Sequence, residues 1–222
     1  MGHPVESADH FFDLLLKIGV ERPRYQEFVD LGHRYRETAR RRVYTLSFLR
    51  RCADLLSAFG QLPLGTDETI LRLALFYHRI LYTPGATTNA QESAEYVGRV
   101  LAEFTVPEEI IANIGKLIRA TAEGSWHRDS EEALISDIHN AALLSLPLPA
   151  FQEQEQLFRD ERRDEPGERV RADRRKALDG FAERPRIFFT PYFYGRYEYR
   201  AHTNIILAMR SLDERTVKQT TI

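Results

Sequence analysis

His78 and Arg79 sit side by side in the run Leu75-Phe76-Tyr77-His78-Arg79-Ile80-Leu81-Tyr82, pairing an imidazole with a permanently charged fork. Imidazole titrates near neutral pH and ligates metals through its lone pair. Guanidinium has no lone pair to offer a cation; it grips phosphate or carboxylate in a forked geometry. Leu71, Ala74 and Leu75 precede His78 at offsets of seven, four and three, so on a helix the imidazole points inward with them. It is then either a neutral core histidine with one partner or the floor of a pocket. Asp137 shares a face with Ala133, Leu134, Ala141 and Leu144, and a carboxylate buried there unpaired would cost several kcal/mol. His78 or Arg79 is its expected partner. Arg79 has two readings: it neutralises Asp137, or with Tyr44, His78 and His139 it receives an anionic or phosphate-bearing small molecule.

These residues fall in a longer ordered pattern. Arg41-Arg42-Val43-Tyr44-Thr45-Leu46-Ser47-Phe48-Leu49 is followed by the His78-Arg79 helix, Asn89-Ala90-Gln91-Glu92-Ser93-Ala94, Leu134-Ile135-Ser136-Asp137-Ile138-His139, Arg159-Asp160-Glu161 and Glu198-Tyr199-Arg200-Ala201-His202-Thr203-Asn204. From about Tyr35 to about Leu212 the order resembles the HD superfamily of predicted metal-dependent phosphohydrolases. The resemblance implies an HD-type helical bundle with a divalent cation held by His, His-Asp and Asp. It places Tyr44 and Arg79 on two of those ligand positions and leaves His78 and Asp137 on the others. Phe48 and Gly124 stand where accessory histidines would be, while His127, Asp129 and His139 are nearby candidates for rebuilding a site. His139, two residues past Asp137, should turn to another side of its helix. The expectation is a metal-free, degenerate member without a cofactor: a pseudoenzyme or binder of an anionic ligand. The alternative keeps a divalent metal in a rearranged site and hydrolyses a nucleotide or small phosphate ester, or uses Tyr44, His78 and Asp137 as acid-base groups.

Apolar residues recur at helical spacing nearly throughout, which predicts an all-α fold, read as one domain over residues 1–222. Phe11, Phe12, Leu15 and Leu16 open a first helix, and Tyr44, Phe48, Cys52, Leu55 and Leu56 form a second stripe. Thr66 or Asp67 should cap a helix running to about Tyr82. Further helices are predicted over 91–104, 107–121, 131–146, 149–182 with a break near Pro166-Gly167, and 197–212. The aromatic run Phe188 to Tyr194 reads as irregular, capping the core or meeting a second copy, or, with Trp126 and Tyr197, lining a ligand entrance.

Lys and Arg number 31 against 33 Asp and Glu, a formal charge of −2, so no bulk field draws the chain to nucleic acid or an anionic membrane. Arg34, Arg36, Arg40, Arg41, Arg42, Arg50 and Arg51 fan around their helices and read as a solvated face. The first apolar run, interrupted by Asp13 and Lys17, does not look like a signal peptide, and no run reaches membrane-spanning length. A single cysteine, Cys52, excludes an internal disulfide and fits a cytoplasmic protein. Homo-oligomerisation stays open.

Overall fold

The computed structural model describes residues 8–60, 62–122 and 130–220; Gly124, Trp126, His127 and Asp129 lie outside them. Among the described residues the fold is all-α, with ten helices: α1 (Ala8–Lys17), α2 (Tyr25–Arg34), α3 (Leu46–Phe59), α4 (Glu68–Tyr77), α5 (Asn89–Glu103), α6 (Glu108–Ala120), α7 (Glu131–Leu144), α8 (Leu148–Asp160), α9 (Gly167–Ala182) and α10 (Pro191–Thr220). One hydrophobic cluster runs from Phe11 on α1 to Leu212 on α10. No helix among the described residues is long and apolar enough to cross a membrane.

α7 is the axis. Every residue from Ala133 to Leu144 is buried, so this helix has no solvent face, and α3, α4, α6 and α10 pack around it. Its polar residues Ser136, Asp137, His139 and Asn140 are therefore inside the protein and must find internal partners. α4 starts as expected: Asp67 accepts hydrogen bonds from the amides of Thr69 at 2.8 Å and Ile70 at 3.3 Å.

The end of α4 differs from the sequence expectation. The helix stops at Tyr77, five residues before Tyr82, because side chains take over the carbonyls that a continuing helix would have used. His78 Nδ1 lies 2.7 Å from the Leu75 carbonyl, and Arg41 donates to the carbonyls of Arg79 at 2.9 Å and Ile80 at 3.2 Å, as well as to Tyr44 at 3.2 Å. Arg41 is thus buried, between the rings of Tyr35 and Tyr82, a correction to the solvated face expected for the whole arginine cluster; Arg34, Arg36 and Arg40 are exposed. Glu161 closes the same region, accepting from the amides of Arg42 and Val43 and from the Tyr82 hydroxyl.

Two further boundaries moved. α10 begins at Pro191 rather than Tyr197, so half of the aromatic run is helical, and Phe188 and Phe193 are fully buried in the core. α2 was not expected: Tyr25, Gln26, His33 and Arg34 are exposed, Leu31 is its one buried residue, and Phe28 packs half-buried against Phe11 and Phe12. The long charged helix is divided as the Pro166-Gly167 pair suggested.

Since Arg41 alone satisfies three carbonyls around the end of α4, Arg41→Met should lower stability by about 1–3 kcal/mol. Urea denaturation of the purified variant measures this directly, and an unchanged midpoint would show that water replaces the guanidinium freely.

Candidate functional site

The C-termini of α4 and α6 converge on the Arg79 guanidinium. Nη1 donates to the carbonyl of His78, the C-cap of α4, and to the hydroxyl of Thr121, the C-cap of α6, both at 2.9 Å. Nη2 lies 3.4 Å from His139 Nε2, and the group stands 5.5 Å from the centre of the Tyr44 ring. Only 7% of Arg79 is exposed, yet among the described residues no carboxylate pairs with it. The two helix ends carry partial negative charge, which stabilises a cation by about 0.3–2 kcal/mol. Burying the charge costs several kcal/mol.

Geometry fixes the protons of both histidines. Leu75 O can only accept, so His78 Nδ1 carries hydrogen and His78 Nε2 presents its lone pair. His139 Nδ1, 3.1 Å from that lone pair, must then be the donor. His139 Nε2 is left as the acceptor for Arg79 Nη2. The result is one directed chain, Arg79 to His139 to His78 to Leu75, in which each ring is neutral with both nitrogens engaged. Burial, reinforced by Arg79, pushes His78 down to about 3; burial, Arg79 and His78 together hold His139 well below the usual imidazole range. Tyr44 stacks on His139, with ring centres 5.9 Å apart and planes 8° from parallel, and burial raises its phenol despite the opposing pull of Arg79. Phe48 touches both imidazoles, at 5.5 Å and 5.6 Å between ring centres.

Asp137 is elsewhere, and the expected pairing with His78 or Arg79 is corrected. Its oxygens accept from the amides of Phe189 at 2.9 Å and Thr190 at 2.8 Å and from the Thr190 hydroxyl at 2.8 Å. The carboxyl thereby anchors the residues that lead into α10. Burial pushes it up to about 7, and those three donors, which favour the ionised form, restrain the rise. The inward direction of Asp137 was legible from its helix face, but not its partner, which lies more than fifty positions away in a run that read as irregular. The two-residue offset does turn His139 to another side of α7, and that side is the one facing His78.

A divalent cation does not fit this donor set. The His78 lone pair is aimed at a proton of His139, a guanidinium faces the remaining lone pair of His139, and the Asp137 oxygens are occupied by the entry to α10. Among the described residues no group of three or more His, Cys, Asp or Glu is arranged to hold a metal ion. Cys52 is buried, with its thiol pushed up to about 12 by burial, as befits a packing residue. Sequence reasoning missed Thr121, Arg41 and Glu161 as parts of this neighbourhood; Thr121 shares none of the apolar spacing that drew attention to His78.

Comparison with family models, with curated proteins and with solved structures yields no match to this chain.

A histidine held neutral stabilises the fold above its unfolded pKa near 6.5, and that contribution is lost as pH falls toward the folded value. For His139→Asn we therefore expect the stability advantage of the wild type over the variant to shrink by about 1.4 kcal/mol for each pH unit below 6.5. Urea titrations at pH 7.5, 6 and 5 measure it. A pH-independent difference would mean that His139 takes up its proton as readily in the folded protein as in the unfolded chain.

Proposed function

We propose that this chain is a metal-free, phosphohydrolase-like protein of the HD type that has kept the position of the active centre and binds an anionic small molecule there, in the cytoplasm, as a pseudoenzyme. The observation that carries the reading is the state of Arg79. Three of its five N–H groups are spent on His78, Thr121 and His139, leaving Nε–H and one N–H of Nη2 for an incoming ligand. The two helix ends supply less stabilisation than the buried charge requires; an anion supplies the rest. Tyr44 lies beside the guanidinium, suited to cover a bound phosphate ester or carboxylate. Both imidazoles have their lone pairs engaged, which speaks for binding rather than acid-base turnover.

Adenosine monophosphate is a suitable probe, since it offers both a phosphate and an aromatic body. It should move the Arg79 Nε–H resonance in a nitrogen-edited NMR titration, and Arg79→Met should weaken binding by more than tenfold, about 1.5–3 kcal/mol, while remaining folded. An unmoved resonance, or unaltered affinity in the folded variant, would defeat the reading.

Manganese, nickel and iron should add little to the melting temperature, whereas a tight site occupied at a hundred times its Kd would add about 2.7 kcal/mol of stability. A full equivalent of metal bound through His78 in protein purified without chelators would overturn the metal-free assignment.

A further inference from the structure

A second anion site is suggested by an incomplete helix start on the opposite side of Tyr35. α3 opens at Thr45, its N-cap, whose backbone is extended (φ −101°, ψ −177°) but whose side chain makes no capping hydrogen bond. The first amide, Leu46, is taken by the Tyr35 carbonyl at 3.3 Å, and those of Phe48 and Leu49 by the Thr45 carbonyl. The Ser47 amide is left without an acceptor among the described residues. No acidic residue occupies this first turn, so nothing on the helix itself answers the partial positive charge of its start.

The second observation is Thr45 itself. The residue is 9% exposed, and its hydroxyl, which has no hydrogen-bond partner among the described residues, is not sealed off from solvent. Thr45 lines a cleft of about 470 Å³ between the C-terminal part of α2 and the start of α3, together with Ser47, Arg36 and His33. Arg36 is exposed and has no ion pair among the described residues. Glu37 is the one carboxylate lining the cleft, and it leans toward Arg42, at 3.7 Å. The volume falls in the range of about 300–1,000 Å³ typical of small-molecule sites, larger than a bare phosphate needs, and Val29 and Leu46 add an apolar wall.

We propose that this cleft binds a small organic phosphate monoester, with the phosphate on the Ser47 amide, the Thr45 hydroxyl and the Arg36 guanidinium, and the organic body against Val29 and Leu46. The combination uses a helix start and a fork, the two devices that recognise phosphate best. The site is separate from that of Arg79 and stands or falls independently of it.

The test uses the full chain titrated with inorganic phosphate and with phenyl phosphate, followed by the Ser47 amide resonance. Both probes should shift that amide, phenyl phosphate at lower concentration, and Arg36→Gln and Thr45→Val should each weaken binding at least fivefold. Thr45→Val should leave the melting temperature unchanged or higher in the absence of probe, because the hydroxyl it removes has no partner. Arg36 is on the surface, so Arg36→Gln keeps the test decisive even if the Val variant folds poorly. A Ser47 amide that stays still while Arg79 Nε–H moves would sink this site and spare the other; movement of Ser47 alone would do the reverse. Wild-type affinity in a folded Arg36→Gln protein would also overturn the proposal.

Discussion

A permanent positive charge buried at the meeting point of two helix C-termini organises the centre of this protein. Arg79 follows the C-cap of α4 and reaches the C-cap of α6, so the guanidinium joins two helices through the groups that a helix leaves unsatisfied at its end. Because guanidinium can only donate, every partner it meets must accept. That requirement sets the acceptor nitrogen of His139, which sets the donor nitrogen, which sets the tautomer of His78. One unalterable charge thus determines the protons of two rings that would otherwise be free to choose.

Asp137 and His139 show how one buried helix serves two ends. α7 has no exposed face between Ala133 and Leu144, so residues two apart look into different parts of the interior. His139 faces α4 and completes the chain of imidazoles. Asp137 faces away and holds Phe189 and Thr190 in position for α10. A sequence that places both on one short segment invites a single site, and the helical rotation separates them.

What could be read from the sequence follows the range of the interactions involved. Helix content, the Asp67 cap, the break at Pro166 and the burial of His78 and Asp137 rest on spacing and on neighbours a few residues apart, and these were legible. The early end of α4 was not, because it depends on Arg41 reaching across 38 positions. Neither was the start of α10, anchored by a carboxylate on α7, nor α2, which buries a single leucine. Arg41 illustrates the limit most clearly: amid seven arginines it has no local feature that sets it apart, and only the tertiary fold selects it for the interior. The same holds for Arg79, whose lack of a carboxylate partner among the described residues could be seen only once Asp137 was found elsewhere.

Glu161 accepts from the amides of Arg42 and Val43 and from the Tyr82 hydroxyl, contacts that reach back 118 to 119 positions to the first two and 79 to the third. Such closures cannot form early, since the entropy of joining distant parts of the chain must first be met by collapse of the core. The segment bearing Arg41 and Arg42, and with it the end of α4, therefore depends on a residue supplied by the end of α8. In a growing chain the His78–Arg79 corner waits, incomplete, until α8 has left the ribosome.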